Sequence, residues 1–135
     1  MKKYAVVTAL IASASVHADP IYLECSLVDE SFKGGRLDIE VRLDESSGKV
    51  SHSTDTIIFN ADGIWSADAI RYKYVDGTGD PLVPIVIQSY KIDRSTLKIT
   101  RLITIKYPEV FNEADVLIGP ESGGCTIKET AQNKI

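Results

Sequence analysis

The chain has 135 residues, 44% of them hydrophobic and 25% charged, with two cysteines, two histidines and a formal net charge of −4. That length fits one domain around a single core, and the acidic balance argues against nucleic acid and anionic membrane surfaces as partners. So few histidines and cysteines put His-rich metal centres and Cys/His nucleophilic catalysis out of reach.

Lys2 and Lys3 precede an apolar run over residues 4–16 that closes on Val16, His17 and Ala18. This is the layout of a secretory signal peptide cut after Ala18. Its apolar core, interrupted by Thr8, Ser13 and Ser15, is shorter than the roughly 20 residues a membrane-spanning helix needs. Residues 1–18 are therefore a leader, and residues 19–135 a single β-rich domain with no membrane insertion once the leader is gone. Removing Lys2 and Lys3 moves the net charge from −4 to −6. Glu24 directly before Cys25 argues against lipid attachment there. The expected location is the bacterial periplasm or the medium outside the cell.

Strand periodicity begins at once. Ile21, Leu23, Cys25 and Leu27 alternate with polar residues, which turns Cys25 inward. Residues 36–43 alternate most cleanly, with Leu37, Ile39, Val41 and Leu43 on one face and Arg36, Asp38, Glu40 and Arg42 on the other. A turn at residues 44–48 returns the chain through residues 49–53. Residues 56–60 form a short β-branched and aromatic run, and residues 62–70 have room for one helical turn. Ile70, Tyr72 and Tyr74 alternate before the breaker Asp76-Gly77-Thr78-Gly79-Asp80-Pro81. Residues 82–92 and 96–106 read as a long antiparallel pair, with Pro84 near the start of the first. Residues 107–124 are irregular, with a short strand possible at 114–118, and residues 125–129 close the domain. Residues 130–135 read as a frayed tail.

About seven to eight strands in sequential order predict an all-β fold, an antiparallel meander closing into a small barrel or a sandwich. In an exported chain the two cysteines admit one intramolecular pairing, Cys25 with Cys125. With no Cys-x-x-Cys spacing the bridge is a structural staple. It would tie the first strand to the last, where a barrel closes on itself, and a loop of this length gives about 4–5 kcal/mol on the chain-entropy model.

Leu23-Glu24-Cys25, the run Tyr90-Lys91-Ile92-Asp93-Arg94-Ser95-Thr96 and Gly124-Cys125 together resemble a pattern in small uncharacterised exported bacterial proteins: an early Leu-x-Cys, a late Ile-Asp-Arg-x-Thr-Gly turn and a final cysteine. The chain departs from that pattern at Leu97, where a glycine would stand. The resemblance implies a β-rich exported domain and no activity.

Among chemistry-bearing residues, His52 lies in Ser51-His52-Ser53-Thr54-Asp55. On a strand its serine neighbours face away from it, so it reads as a solvent-facing or locally bonded histidine and not a triad member. The acids and glycines of residues 76–80 fit a hairpin turn better than a calcium loop, and Asp38 with Glu40 reads as a solvated surface. Trp65, Tyr72 and Tyr74 read as core, although such aromatics also line cavities. Residues 107–113 carry Tyr107, Val110 and Phe111 among acids. These three are the candidate partner-binding residues, against the alternative that they fold over one end of the barrel as a plug.

The resulting expectation is a non-catalytic binding or inhibitory module of the cell envelope with an unknown protein partner and no cofactor. Inhibition of a lysozyme, a basic enzyme drawn to an acidic partner, is one specific form. A small barrel carrying an apolar ligand is an alternative of another class, and a weak carboxylate-based enzyme is a third.

Overall fold

A computed structural model describes residues 19–29 and 35–128; the leader at residues 1–18 and the tail at residues 130–135 lie outside them. Among the described residues the strands are β1 (Ile21–Val28), β2 (Arg36–Asp44), β3 (Lys49–Ser53), β4 (Ile58–Asp62), β5 (Ile64–Trp65), β6 (Ala69–Asp76), β7 (Ile85–Asp93), β8 (Lys98–Lys106) and β9 (Val116–Ile127). They form one antiparallel sheet in the order β4-β3-β2-β1-β9-β8-β7-β6-β5. The fold is all-β and barrel-like, so the sandwich alternative falls away.

The strand count is nine against the expected seven to eight. Residues 62–70 hold no helical turn: β5 pairs with β6 there, Ile64 opposite Arg71 and Trp65 opposite Ile70. Residues 116–127 form one long strand, β9, where a short strand and an irregular stretch were expected. Its glycines and Pro120 read as loop signals but serve a bulged strand, with a register shift opposite Arg101 and Ile103.

The sheet curls because its edges are consecutive in sequence. β4 and β5 flank Gly63, and Phe59 of β4 stacks near Tyr74 of β6 with ring centres 4.7 Å apart, which brings the two edges together. Leu23, Leu27, Leu37, Ile39, Val41, Leu43, Val50, Ile70, Ile92 and Ile99 fill the interior. Their alternation with exposed neighbours follows the strand period.

The first and last strands pair antiparallel, with Cys25 opposite Cys125, and the disulfide joins them. The staple thus sits in the β1/β9 seam. The β7/β8 turn is built by Asp93, whose carboxylate accepts bonds from the Ser95 and Thr96 backbone N–H groups and the Ser95 hydroxyl. Those bonds, the Thr96 N–H foremost, hold its pKa down to about 2. Leu97 adopts φ +61°, the left-handed region where glycine is favoured. Its carbonyl accepts the Cys125 N–H at 2.8 Å, so the turn also anchors the last strand.

Two ends follow from the strand directions. Turns at 45–48, 66–68 and 94–97 lie at one end; segments 54–57, 77–84 and 107–115 lie at the other.

Candidate functional site

β1 pairs with β9 only between Gly123 and Ile127, whereas β8 follows β9 up to Val116. β6 to β9 therefore continue past the rim of the barrel as a four-stranded tongue. From the register, Ile103 lies beside Ile118 and Ile105 beside Val116, with Val86 next to Ile105 on the same face. Alternation from the buried Tyr90 and Ile99 makes this the continuation of the barrel's inner face. Leu117 points to the opposite face and is 64% exposed.

The 107–115 connection crowns this tongue. Pro108 precedes a single 3-10 turn at Glu109–Phe111, and Asn112 ends it in the left-handed region at φ 51°. The Phe111 and Asn112 N–H groups donate to the Pro108 and Glu109 carbonyls, each at 3.0 Å. This tight turn presents Val110 at 73% and Phe111 at 50% exposure, while Tyr107 is half-buried. The exposure of Val110 and Phe111 speaks against the plug alternative for these two side chains.

Sequence reasoning found these three residues but not their company. Leu82, at 63% exposure, and Val83 sit in the neighbouring 77–84 turn, and Val116, Leu117 and Ile118 lie on the adjoining strand; all are exposed. Asp76, Asp80, Glu109, Glu113 and Asp115 surround them, with Lys106 3.8 Å from Asp115 as a facing cation. The result is an apolar end with an acidic rim. Turn composition hid the grouping, because only the topology shows which turns share an end.

Beneath the tongue lies a buried polar layer. Arg101 stands on the Ile99/Ile103 face of β8, a signal available in the sequence, and its guanidinium bonds the carboxylates of Asp29 and Glu121. Arg101 and Asp29 are both buried. Tyr90 gives its hydroxyl to Gln88 at 2.7 Å and stacks on Tyr72 at 5.1 Å.

His52 belongs to this interior and not to the solvent. It is 1% exposed, shares a 2.9 Å hydrogen bond with the Tyr72 hydroxyl, and lies 4.6 Å from the Phe59 ring and 4.5 Å from the Tyr90 ring. It shares the inward face of β3 with Val50, and that alternation buries it. Burial, helped by the Arg101 charge, lowers its pKa from 6.5 to about 4. An unfolded imidazole takes up its proton near pH 6.5 while the buried ring resists until about pH 4. This contribution to stability is thus complete above pH 6.5 and shrinks as the pH falls toward 4, a loss of about 3 kcal/mol. Urea midpoints measured across that range should fall for the parent and flatten for His52→Gln; equal slopes would show that His52 is not the titrating group.

The remaining candidates are structural. Tyr72 is core, and Trp65 donates its indole N–H to the Gly48 carbonyl at 3.0 Å beneath the Arg94 guanidinium. Residues 76–80 connect β6 to β7, as the hairpin reading requires. Asp38 and Glu40 are exposed, and Lys128 reaches Glu40 at 3.2 Å and Glu24 at 3.7 Å. Among the described residues no group of three or more His, Cys, Asp or Glu side chains is placed to hold a metal ion, and no helix is long and apolar enough to cross a membrane.

Comparison with family models, with curated proteins and with solved structures returns no match.

Proposed function

We propose that this chain is an exported, non-catalytic binding or inhibitory module of the bacterial envelope, and that it engages a basic protein through the 107–118 end of its tongue. The observation that carries this reading is that exposed Leu82, Val110 and Phe111 lie at one end of the sheet together with exposed acids. Large apolar side chains exposed together at one end of a domain point to a contact site. Among the described residues this end carries five carboxylates and one facing lysine, Lys106, so the partner is one that presents Lys and Arg beside an apolar surface. A lysozyme, as a basic enzyme, is the specific partner to test.

The carrier alternative asks for an apolar cavity, and the centre of this barrel is occupied by Tyr72, Tyr90, His52 and Phe59. The enzyme alternative asks for carboxylates free to act on a substrate. Glu24 and Glu40 hold Lys128, and Glu121 holds Arg101.

The test is binding and inhibition against a panel of lysozymes, using the oxidised mature protein beside a Val110→Ala, Phe111→Ala variant. Both side chains are exposed, so the fold should be unaffected. Loss of two anchors is expected to weaken binding by roughly thirtyfold or more. Glu109→Gln with Glu113→Gln should slow association chiefly at low salt. If no basic protein in the panel or in envelope extract distinguishes parent from variant, the reading is wrong.

A further inference from the structure

We propose that the outer face of β6, β7 and β8 is an anion site, built by Arg71, Lys73 and Lys91, for a small organic ester of phosphate or sulfate. Arg71 lies directly opposite Lys91 across the β6/β7 ladder, and Lys73 lies opposite Ser89. Arg71 and Lys73, two residues apart on one strand, share the outward face. Directly opposed side chains have Cβ atoms about 4.5–5.5 Å apart, and diagonal ones about 7–8 Å. Three cations therefore stand within one small triangle.

Like charges placed opposite one another destabilise a sheet, and in a chain of net charge −4 an uncompensated basic cluster is the less expected arrangement. Among the described residues most other cations have carboxylate partners. Arg42, Lys49, Arg94, Arg101, Lys106 and Lys128 all form ion pairs. Arg71, Lys73 and Lys91 form none among the described residues and are exposed. The carboxylate on the rim, Asp62, is bound to Lys49.

The face is also concave. A cleft of about 370 Å³ runs across it, with Ser89 and Thr100 beside the cations and Ile64, Leu102 and Pro120 as apolar wall. That volume is at the lower end for small-molecule sites. Arg71 offers a planar fork suited to phosphate or sulfate oxygens, and the lysines add point charge. The apolar wall selects an ester with a ring or short chain over the bare anion. The site lies on the outer face of the lower tongue, away from Val110 and Phe111, so its occupation is separable from partner binding at the loop.

The experiment is an amide-resolved NMR titration of the oxidised mature protein with phenyl phosphate, phenyl sulfate and inorganic phosphate, repeated on an Arg71→Gln, Lys91→Gln variant. Shifts are expected to concentrate at residues 71, 73, 89, 91, 100 and 102, with the esters binding about tenfold more tightly than inorganic phosphate and the variant losing about tenfold or more. The thermal midpoint of the variant should be unchanged or higher, since a like-charge pair has been removed. Shifts spread equally over Lys49, Lys98 and Lys106, or unaltered affinity in the variant, would overturn the proposal. A parallel arm uses vesicles of phosphatidylglycerol against phosphatidylcholine. Retention by the anionic vesicles alone, lost in the variant, assigns the ester to a lipid headgroup; soluble esters bound without vesicle retention assign it to a free metabolite. The variant should still bind any partner captured at Val110 and Phe111, which keeps the two readings independently testable.

Discussion

Arg101→Leu is expected to lower the unfolding free energy by about 3–5 kcal/mol, the cost of breaking a buried ion pair by removing one member. The guanidinium bonds both Asp29 and Glu121, and Arg101 and Asp29 are as buried as the aliphatic core. Removing the arginine takes the shared cation from between the buried Asp29 carboxylate and the partly buried Glu121 carboxylate. The loss should be partly recovered in Arg101→Leu with Glu121→Leu, because the Glu121 carboxylate that had faced the guanidinium goes with the change. Arg101→Lys should fall between parent and Arg101→Leu, since an ammonium keeps the charge but not the fork. Equilibrium urea unfolding of the four proteins, all oxidised, reads this directly. If Arg101→Leu loses under 1 kcal/mol, or the double change loses more than the single one, the Arg101 ion pairs do not hold the barrel interior together.

The second large effect separates two adjacent glycines. Gly123 and Gly124 both lie in β9 where it meets β1, opposite Leu27 and Ser26. A methyl group on Gly123 would overlap the Ser26 carbonyl oxygen and come within 2.7 Å of that carbonyl carbon and 2.9 Å of the Leu27 Cα; on Gly124 it would meet nothing within 4 Å. The obstacle at Gly123 is backbone, which cannot turn aside as a side chain would. Gly123→Ala should therefore cost about 3 kcal/mol or more by prying the seam apart, and Gly124→Ala should stay within about 1 kcal/mol of the parent. Thermal midpoints of the two variants give the comparison. Near-equal midpoints would mean that the seam yields more readily than its geometry indicates.

The meander was legible wherever one face is apolar and the other charged. β2 is the clearest case: Leu37, Ile39, Val41 and Leu43 are buried, Arg36, Asp38 and Glu40 are exposed, and Arg42 is half-buried. The disulfide and its place in the seam were legible too, because two cysteines leave one pairing. β9 was not, since Gly119, Pro120, Gly123 and Gly124 carry the composition of a loop. Here they answer to a bulge and to the close approach of β1, which exist only once both strands are in place. His52 was misjudged through its serine neighbours, when Val50 two positions away already marked the inward face. The candidate loop was found from its aromatic and apolar residues. Its extension to Leu82, Leu117 and Ile118 depends on which turns the sheet gathers at one end, and no local pattern encodes that.

The seam between the first and last strands also fixes how the molecule can be held. The Lys128 N–H bonds the Tyr22 carbonyl at 2.7 Å, so the chain enters and leaves the barrel side by side, at the end opposite Val110 and Phe111. A bead, dye or surface attached ahead of Asp19 or beyond Lys128 stands behind the domain and leaves the apolar crown pointing outward. The same adjacency makes the chain a natural subject for recutting: joining its two ends with a short linker and opening the 54–57 turn would move the termini to the rim of the tongue, where a label could report directly on what docks there.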